Sequence, residues 1–122
     1  MLFDTISYVS GADFLYDITG STLSTPSDGT VITRFVATRA FDIPENMAGT
    51  VVSVGTNPSS TATLTVKKNA GSAGAISINT SGVETLPTQS AVSFAVDDVL
   101  TIEVTTANGI DDLGITLKTV AA

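Results

Sequence analysis

The segment ATLTVKKNAGSAGAISIN, residues 62–79, carries the clearest structural signal in the chain. Apolar and polar residues alternate in its first half, so Leu64 and Val66 would face a core while the threonine and lysine between and after them face outward. The cluster NAGSAG then supplies turn residues. A second alternating stretch follows, with Ile76 and Ile78 on the inward face. The pattern predicts a β-hairpin with one buried face.

Similar β patterns recur on both sides of this hairpin. The segments are VITRFVATRAF (31–41), TVVSVG (50–55), VSF (92–94), VLTIEVTT (99–106) and LGITLKTV (113–120). In the first of them, Val31, Phe35, Ala37 and Phe41 form the expected core face. Seven or eight short strands with turn signals between them and no convincing helix predict an all-β fold, a single antiparallel β-sandwich of the jelly-roll type. We assign residues 31–122 to this sandwich domain.

Residues 1–30 lack such a pattern and are predicted to form a non-regular N-terminal arm and a Ser/Thr/Gly/Pro-rich loop. The arm, residues 1–17, holds both tyrosines and two of the five phenylalanines. It would form a first strand or lie as an arm on the surface of its own domain, or it would dock on a neighbouring subunit. The candidate interface residues are Phe3, Tyr8, Phe14, Tyr16 and, from the sandwich, Arg39.

The composition narrows the range of functions. A chain of 122 residues is the size of one domain, and with 43% hydrophobic and 14% charged residues it is too apolar for a disordered protein. A net charge of −7 disfavours binding to nucleic acid or to anionic lipid. No signal peptide and no membrane span is predicted, so we expect a soluble protein made in the cytoplasm.

The candidates for chemistry are few, because the chain contains neither cysteine nor histidine. The commonest general base and the thiol nucleophile are therefore absent. Asp97, Asp98, Asp111 and Asp112 lie in predicted turns, and they would form a calcium site only if their two loops shared one end of the sandwich. Otherwise they stabilise turns. We predict no catalytic residue, no cofactor and no resident metal, and hence no enzyme.

Two arginines lie in the segment 31–41, on opposite faces because five residues separate them. Arg39 shares its nominal face with the core residues, so it needs a carboxylate partner or access to water. It would pair with Asp42 or Glu45 at the end of the sandwich, or it would face another subunit. Pro44 follows shortly afterwards and predicts a corner, since proline cannot donate to a strand ladder.

Four segments also occur in a recognisable order: TRAFDIPENMAGT (38–50), VGTNPSSTATLTVKKNAGSAGAISI (54–78), VSFAVDDVLTIEV (92–104) and IDDLGITLKTV (110–120). This order resembles a domain common among structural proteins of tailed bacteriophages and prophages. Over about residues 31–119, the resemblance rests mainly on the hairpin at Lys67, Lys68 and Asn69 and on the turn at Phe94, Asp97, Asp98 and Leu100. Ala70, Val96 and Gly114 depart from the family pattern.

The resemblance implies a β-sandwich of head decoration or fibre proteins, without catalytic activity. We therefore expect a virion structural protein, most concretely a capsid decoration protein of the cement or head-fibre type. It would bind the major capsid protein at the capsid surface as a homotrimer and stabilise the head. The alternative is a tail-fibre or receptor-binding module that recognises a host surface glycan.

Overall fold

The structure is a computed structural model that describes residues 14–122 of the chain. It contains ten strands: β1 (Phe14–Thr22), β2 (Thr30–Val36), β3 (Phe41–Ile43), β4 (Val51–Ser53), β5 (Ala62–Lys68), β6 (Gly71–Ile78), β7 (Glu84–Thr85), β8 (Val92–Phe94), β9 (Val99–Thr106) and β10 (Leu113–Ala121). The described residues form no α-helix, only a 3-10 turn at Glu45–Met47. This confirms the all-β prediction.

The strands form two antiparallel sheets. The first sheet has the order β1-β10-β3-β8, with β4 also paired to β10, and the second has the order β2-β9-β5-β6-β7. Without the short strands β4 and β7, eight strands remain, four in each sheet. Numbered along the chain, their orders are 1-8-3-6 and 2-7-4-5, which is the strand order of a jelly roll. The fold class predicted from the sequence is therefore confirmed.

Hydrogen bonds between loops define the two ends of the sandwich. At one end, which we call the Asp98 end, Ala37 N donates to Asp98 O at 2.9 Å, and the loops 37–40, 69–70 and 95–98 meet. At the other, the Asn108 end, Ser59 N donates to Asn108 O at 2.8 Å, and the loops 23–29, 54–61 and 107–112 meet. Successive loops thus alternate between ends, because the chain crosses the sandwich with almost every long strand.

The core lies between the sheets and contains the residues that the alternation assigned to it. The inward side chains of β5, β6, β9 and β10 are buried: Leu64, Val66, Ile76, Ile78, Leu100, Ile102, Val104, Leu113, Ile115 and Leu117. Each such side chain contributes roughly 1.5–3 kcal/mol by leaving water. The period-two pattern was therefore a reliable guide to the faces of these four strands.

The segment 31–41 differs from the prediction, because it is two strands in different sheets. A β-bulge lies between Val31, which pairs with Glu103, and Thr33, which pairs with Ile102. The additional residue reverses the alternation, so the prediction of Val31 as a core residue is wrong and its side chain is 53% exposed. Beyond the bulge, Phe35 packs against the core as expected.

The region before residue 31 also differs from the expected arm and loop, since residues 14–22 form β1. This strand pairs with β10 from Phe14 to Thr22, and so it belongs to the first sheet. Its sequence, FLYDITGST, includes several strand-forming residue types but no clean alternation, so periodicity alone does not identify the strand. Gly20 allows β1 to approach β2, because a Cβ atom there would overlap the Thr33 hydroxyl, which donates to Thr19 O at 2.9 Å.

The predicted corner after β3 is confirmed. β3 ends at Ile43, Pro44 is extended, and the 3-10 turn follows. Asn46 and Gly49 have positive φ angles of 58° and 87°, which suit these residue types. The Asn46 Oδ1 atom accepts a hydrogen bond from Gln89 N at 2.7 Å, so the corner also holds the segment that leads to β8.

Candidate interaction surface

The paired aspartates considered as calcium ligands lie at opposite ends of the sandwich. Asp97 and Asp98 come directly before β9, and Asp111 and Asp112 follow it. β9 has eight residues and therefore separates the two pairs by about 26 Å. Within residues 14–122, no three acidic side chains come close enough together to hold a metal ion. The condition for a shared site, one common end, is not met.

Asp98 instead ties three loops together. Its Oδ1 atom accepts from Asn69 Nδ2 at 2.9 Å, its Oδ2 atom accepts from Ala95 N at 2.8 Å, and Lys68 Nζ lies 3.9 Å from Oδ2. The hydrogen bond from Asn69, then that from Ala95, and finally the charge of Lys68 lower the pKa of Asp98. Slight desolvation acts in the opposite direction. The carboxylate is therefore a structural anion at the Asp98 end.

Asn69 completes this connection. Its Oδ1 atom accepts from Val99 N at 2.8 Å, and its own main-chain N–H donates to Val99 O at 2.8 Å. Lys68, next to it, lies over the ring of Phe94 at 5.7 Å from the centroid and donates to the Ser93 carbonyl. The hairpin motif and the turn motif on which the phage resemblance rests are thus in direct contact, and this contact joins the β5–β6 hairpin to the turn before β9.

The second pair of aspartates also serves a turn. Asp111 O accepts main-chain hydrogen bonds from Gly55 and Thr56, and Asp111 Oδ1 accepts from Asp112 N at 2.9 Å. Asp112 has a positive φ of 49°, a conformation that aspartate tolerates in turns. These contacts fix the last loop of the Asn108 end.

The basic residues divide into paired lysines and unpaired arginines. Lys67 lies 2.7 Å from Glu103, Lys68 contacts Asp98, and Lys118 lies 3.3 Å from Asp17. Within the described part of the chain, neither arginine side chain has a hydrogen bond or an ion pair. In an acidic protein with many carboxylates to choose from, this leaves two guanidinium groups available for contacts outside residues 14–122.

Arg39 is exposed in the bend between β2 and β3 and does not lie on the core face. The expected ion pair with Asp42 or Glu45 does not form, and this part of the prediction is wrong. Since β2 ends before Arg39, the strand alternation that assigned it inward does not apply. Asp42 Oδ1 is itself buried and has no hydrogen-bond partner among residues 14–122. The interface role of Arg39 stays a prediction.

The described aromatic rings contact one another at the Asp98 end of the core. Tyr16 lies 4.9 Å from Phe35 and 5.4 Å from Phe41 between ring centroids, and Phe41 stacks on Phe94 at 4.7 Å. Tyr16 is thus largely engaged within its own domain, with its hydroxyl 3.2 Å from the Thr38 hydroxyl. The backbone of Phe14 pairs with Val120, whereas the candidates Phe3 and Tyr8 lie outside the described residues.

A shallow groove with a volume of about 380 Å³ lies on the outer face of the second sheet. Val31, Val99 and Ala70 contribute apolar surface, and the charged residues are Arg34, Lys67 and Glu103. Lys67 is held by Glu103, whereas the Arg34 guanidinium has no partner among residues 14–122, so it is the unpaired charge that the described residues bring to this groove. This groove could not be predicted from the alternation of residues, because the bulge in β2 is what turns Val31 outward beside Arg34.

A second depression of about 320 Å³ lies on the outer face of the first sheet. It surrounds Gly114, where the missing side chain leaves a dent, and includes Val51 and Thr116. No charged side chain lines it. The two outer faces therefore differ in chemistry: one is neutral, and the other offers a cation framed by apolar side chains.

No protein-family model, curated protein or solved structure matches this chain. The resemblance to phage structural domains therefore stays a prediction that rests on the motifs alone. In the part of the chain that the structure covers, no helix has the length and apolar character needed to span a bilayer.

Proposed function

We propose that this chain is a non-enzymatic structural protein of a phage virion that decorates the capsid. It binds the major capsid protein on the outside of the head as a homotrimer and stabilises the head. The observation that supports this proposal most is the jelly-roll strand order, since jelly rolls recur in viral capsid domains. A fold alone does not specify a function, so the proposed role also has to be consistent with the surfaces and the motifs of the protein.

The motifs agree, because the residues that carry the resemblance have structural roles. Asn69 and Asp98 join two loops, and Lys68 covers Phe94. These contacts stabilise the fold itself and involve no ligand, as expected for a domain that serves as a structural part of a particle. An exposed guanidinium, at Arg34 or Arg39, gives a protein of net charge −7 a specific place to contact carboxylates of a neighbouring subunit.

The alternative is a receptor-binding module for a host glycan, because jelly rolls also occur in lectins. A sugar site usually offers an aromatic or apolar face together with a few placed polar groups. Among the side chains that the structure describes, the four aromatic rings contact one another, with Phe41 and Phe94 fully buried and Tyr16 and Phe35 half-buried. This arrangement favours the decoration role over glycan recognition.

The test is to mix purified protein with undecorated, expanded capsids of its phage and to pellet them. We expect co-sedimentation at a fixed ratio to capsid protein and a higher melting temperature of the decorated capsid. Glutamate at Val36 or at Val51, exposed residues on the two outer faces, would show which sheet makes the contact. Protein that stays in the supernatant but binds host cells or a glycan array would overturn the proposal in favour of the alternative.

Light scattering of the free and the capsid-bound protein tests the trimer separately. A homotrimer fits a three-fold position of a closed shell, since symmetric homo-oligomers are the usual building units of such assemblies. A chain that is monomeric in solution and on the capsid would refute the trimer while leaving decoration intact.

A further inference from the structure

The groove around Arg34 is a candidate docking site, because it combines exposed apolar side chains with a positive charge. An exposed sheet face whose guanidinium has no partner within residues 14–122 and lies between valines combines the two features of a docking site, apolar area and a directional charge. The neutral depression on the opposite face has only the first. A carboxylate with apolar neighbours is the natural complement of Arg34, and the sequence before the described residues contains this combination.

That segment is MLFDTISYVSGAD, residues 1–13. It combines apolar residues, Leu2, Phe3 and Ile6, with a carboxylate at Asp4. This pattern complements the groove, in which Val31 and Val99 flank a cation. Asp13 directly precedes β1 and is too close to Phe14 to reach the other sheet, so Asp4 is the carboxylate that matches Arg34.

The position of β1 makes the groove reachable. Tyr16, near the beginning of β1, contacts Phe35 of β2, whose neighbour Arg34 points to the outer face. The path from β1 around the edge of the sandwich to Arg34 crosses one sheet spacing and about two strand spacings, which is roughly 20 Å. Ten residues separate Asp4 from Phe14, and an extended chain of that length spans about 33 Å.

We propose that residues 1–13 dock in the groove of their own chain, with the Asp4 carboxylate on the Arg34 guanidinium and the flanking apolar side chains on Val31 and Val99. A short tether gives the segment an effective concentration in the millimolar range, above that of a second copy in dilute solution. The docked segment covers the outer face of the second sheet. This inference concerns the isolated protein and does not depend on capsid binding.

Disulfide trapping tests the proposal cleanly, because the chain contains no cysteine. In the full-length protein, Thr5→Cys is combined either with Val31→Cys at the groove or with Val51→Cys on the opposite face. Val31 and Val51 are matched, being 53% and 60% exposed in strands. Val51 also lies within reach, about 17 Å from Phe14 by strand register. Mild oxidation, followed by denaturing electrophoresis without reductant, measures the rate at which the intrachain disulfide forms.

We expect the Val31 pair to form an intrachain disulfide about tenfold faster than the Val51 pair at low protein concentration. Arg34→Glu in the first background should remove this preference, whereas Arg39→Glu, the same charge change outside the groove, should keep it. Asp4→Lys should also remove it, and the double change Asp4→Lys with Arg34→Glu should restore it. The exposed position of Arg34 makes loss of folding a minor concern, and a melting curve checks it.

Equal rates for the two cysteine pairs would overturn the proposal. So would a preference that survives Arg34→Glu, because the groove would then not recognise the carboxylate. Predominantly disulfide-linked dimers, formed faster at higher protein concentration, would assign the groove to the segment of a second copy instead. A negative capsid-binding assay alongside faster trapping at Val31 would refute decoration and leave this inference standing.

Discussion

Asn69→Ala should cut the main link between the hairpin β5–β6 and the turn before β9. The substitution removes two side-chain hydrogen bonds, one to Asp98 Oδ1 at 2.9 Å and one from Val99 N at 2.8 Å. Hydrogen bonds at a partly solvated site contribute about 1 kcal/mol each, so their loss costs about 2 kcal/mol. The main-chain bond from residue 69 to Val99 O survives.

The backbone adds a second cost. Asn69 and Ala70 have φ angles of 48° and 74°, and the pair Lys68–Gly71 flanks them, so the hairpin closes through a two-residue type I′ loop. Asparagine tolerates this left-handed conformation, whereas alanine at the same φ costs about 1 kcal/mol more. The free energy of unfolding should therefore fall by about 3 kcal/mol, a drop of about 12 °C in melting temperature for a domain of this size.

Urea denaturation followed by circular dichroism measures the change, and Asn69→Gly is the matched control. Glycine removes the same two hydrogen bonds without the strain at positive φ, so Asn69→Gly should lose less stability than Asn69→Ala. If Asn69→Ala loses less than about 0.5 kcal/mol, the two hydrogen bonds do not stabilise this end of the sandwich, and the structural role given to the two motifs fails.

Three further predictions concern the same end of the molecule. Ala70→Gly should raise the free energy of unfolding by about 0.5–1 kcal/mol in denaturant titrations, because glycine fits the second position of a type I′ loop; a loss would contradict the turn assignment. Since the pKa of Asp98 is lowered in the folded state, its stabilising effect is present above the ordinary value of 3.8 and is lost as pH falls through the lower folded pKa. Asp98→Asn should thus be less stable than the wild type at pH 7, with a difference that shrinks toward pH 3, and a constant difference would exclude the electrostatic contribution. Arg39→Ala should leave the melting temperature of the protomer unchanged, since the guanidinium has no partner among residues 14–122; a smaller particle by light scattering would identify an oligomer interface, and a lower melting temperature at constant size would reveal an internal contact.

The sequence predicted the sandwich because its core strands alternate without interruption. Buried apolar residues alternate over residues 62–66 of β5, 100–104 of β9 and 113–117 of β10, so periodicity alone identified the inward faces. The prediction failed where a local backbone feature changes the period. The bulge at Val31 inserts one residue into β2, and the chain then changes sheets before Phe41, so neither Val31 nor Arg39 lies where a continuous strand would place it.

β1 was only one of the alternatives that the sequence left open, for a different reason. Its residues include Asp17, Gly20 and Ser21, which are poor strand formers, yet it pairs along β10 over almost its whole length. The partner strand and the close approach to β2 at Gly20 determine this conformation, and both are tertiary effects. The separation of the two aspartate pairs is different, because the strand predicted at 99–106 lies between them and its length alone places them at opposite ends.

The polar residues of the recognisable motifs already have hydrogen-bond partners within the fold, so they are not available to bind another molecule. Asn69 and Asp98 dominate the recognisable motifs, and the structure shows their polar groups bonded to each other and to the main chain. Arg34, by contrast, has no partner among residues 14–122, because Lys67 already occupies Glu103, the acid that lines its groove. Glu103 cannot neutralise both cations equally well, so replacing Lys67 by methionine should free Glu103 for Arg34. In that variant the groove would lose its free cation without losing apolar area, and trapping of residue 5 at residue 31 should weaken. Persistence of the trapping would show that the valines, rather than the guanidinium, recognise the N-terminal segment.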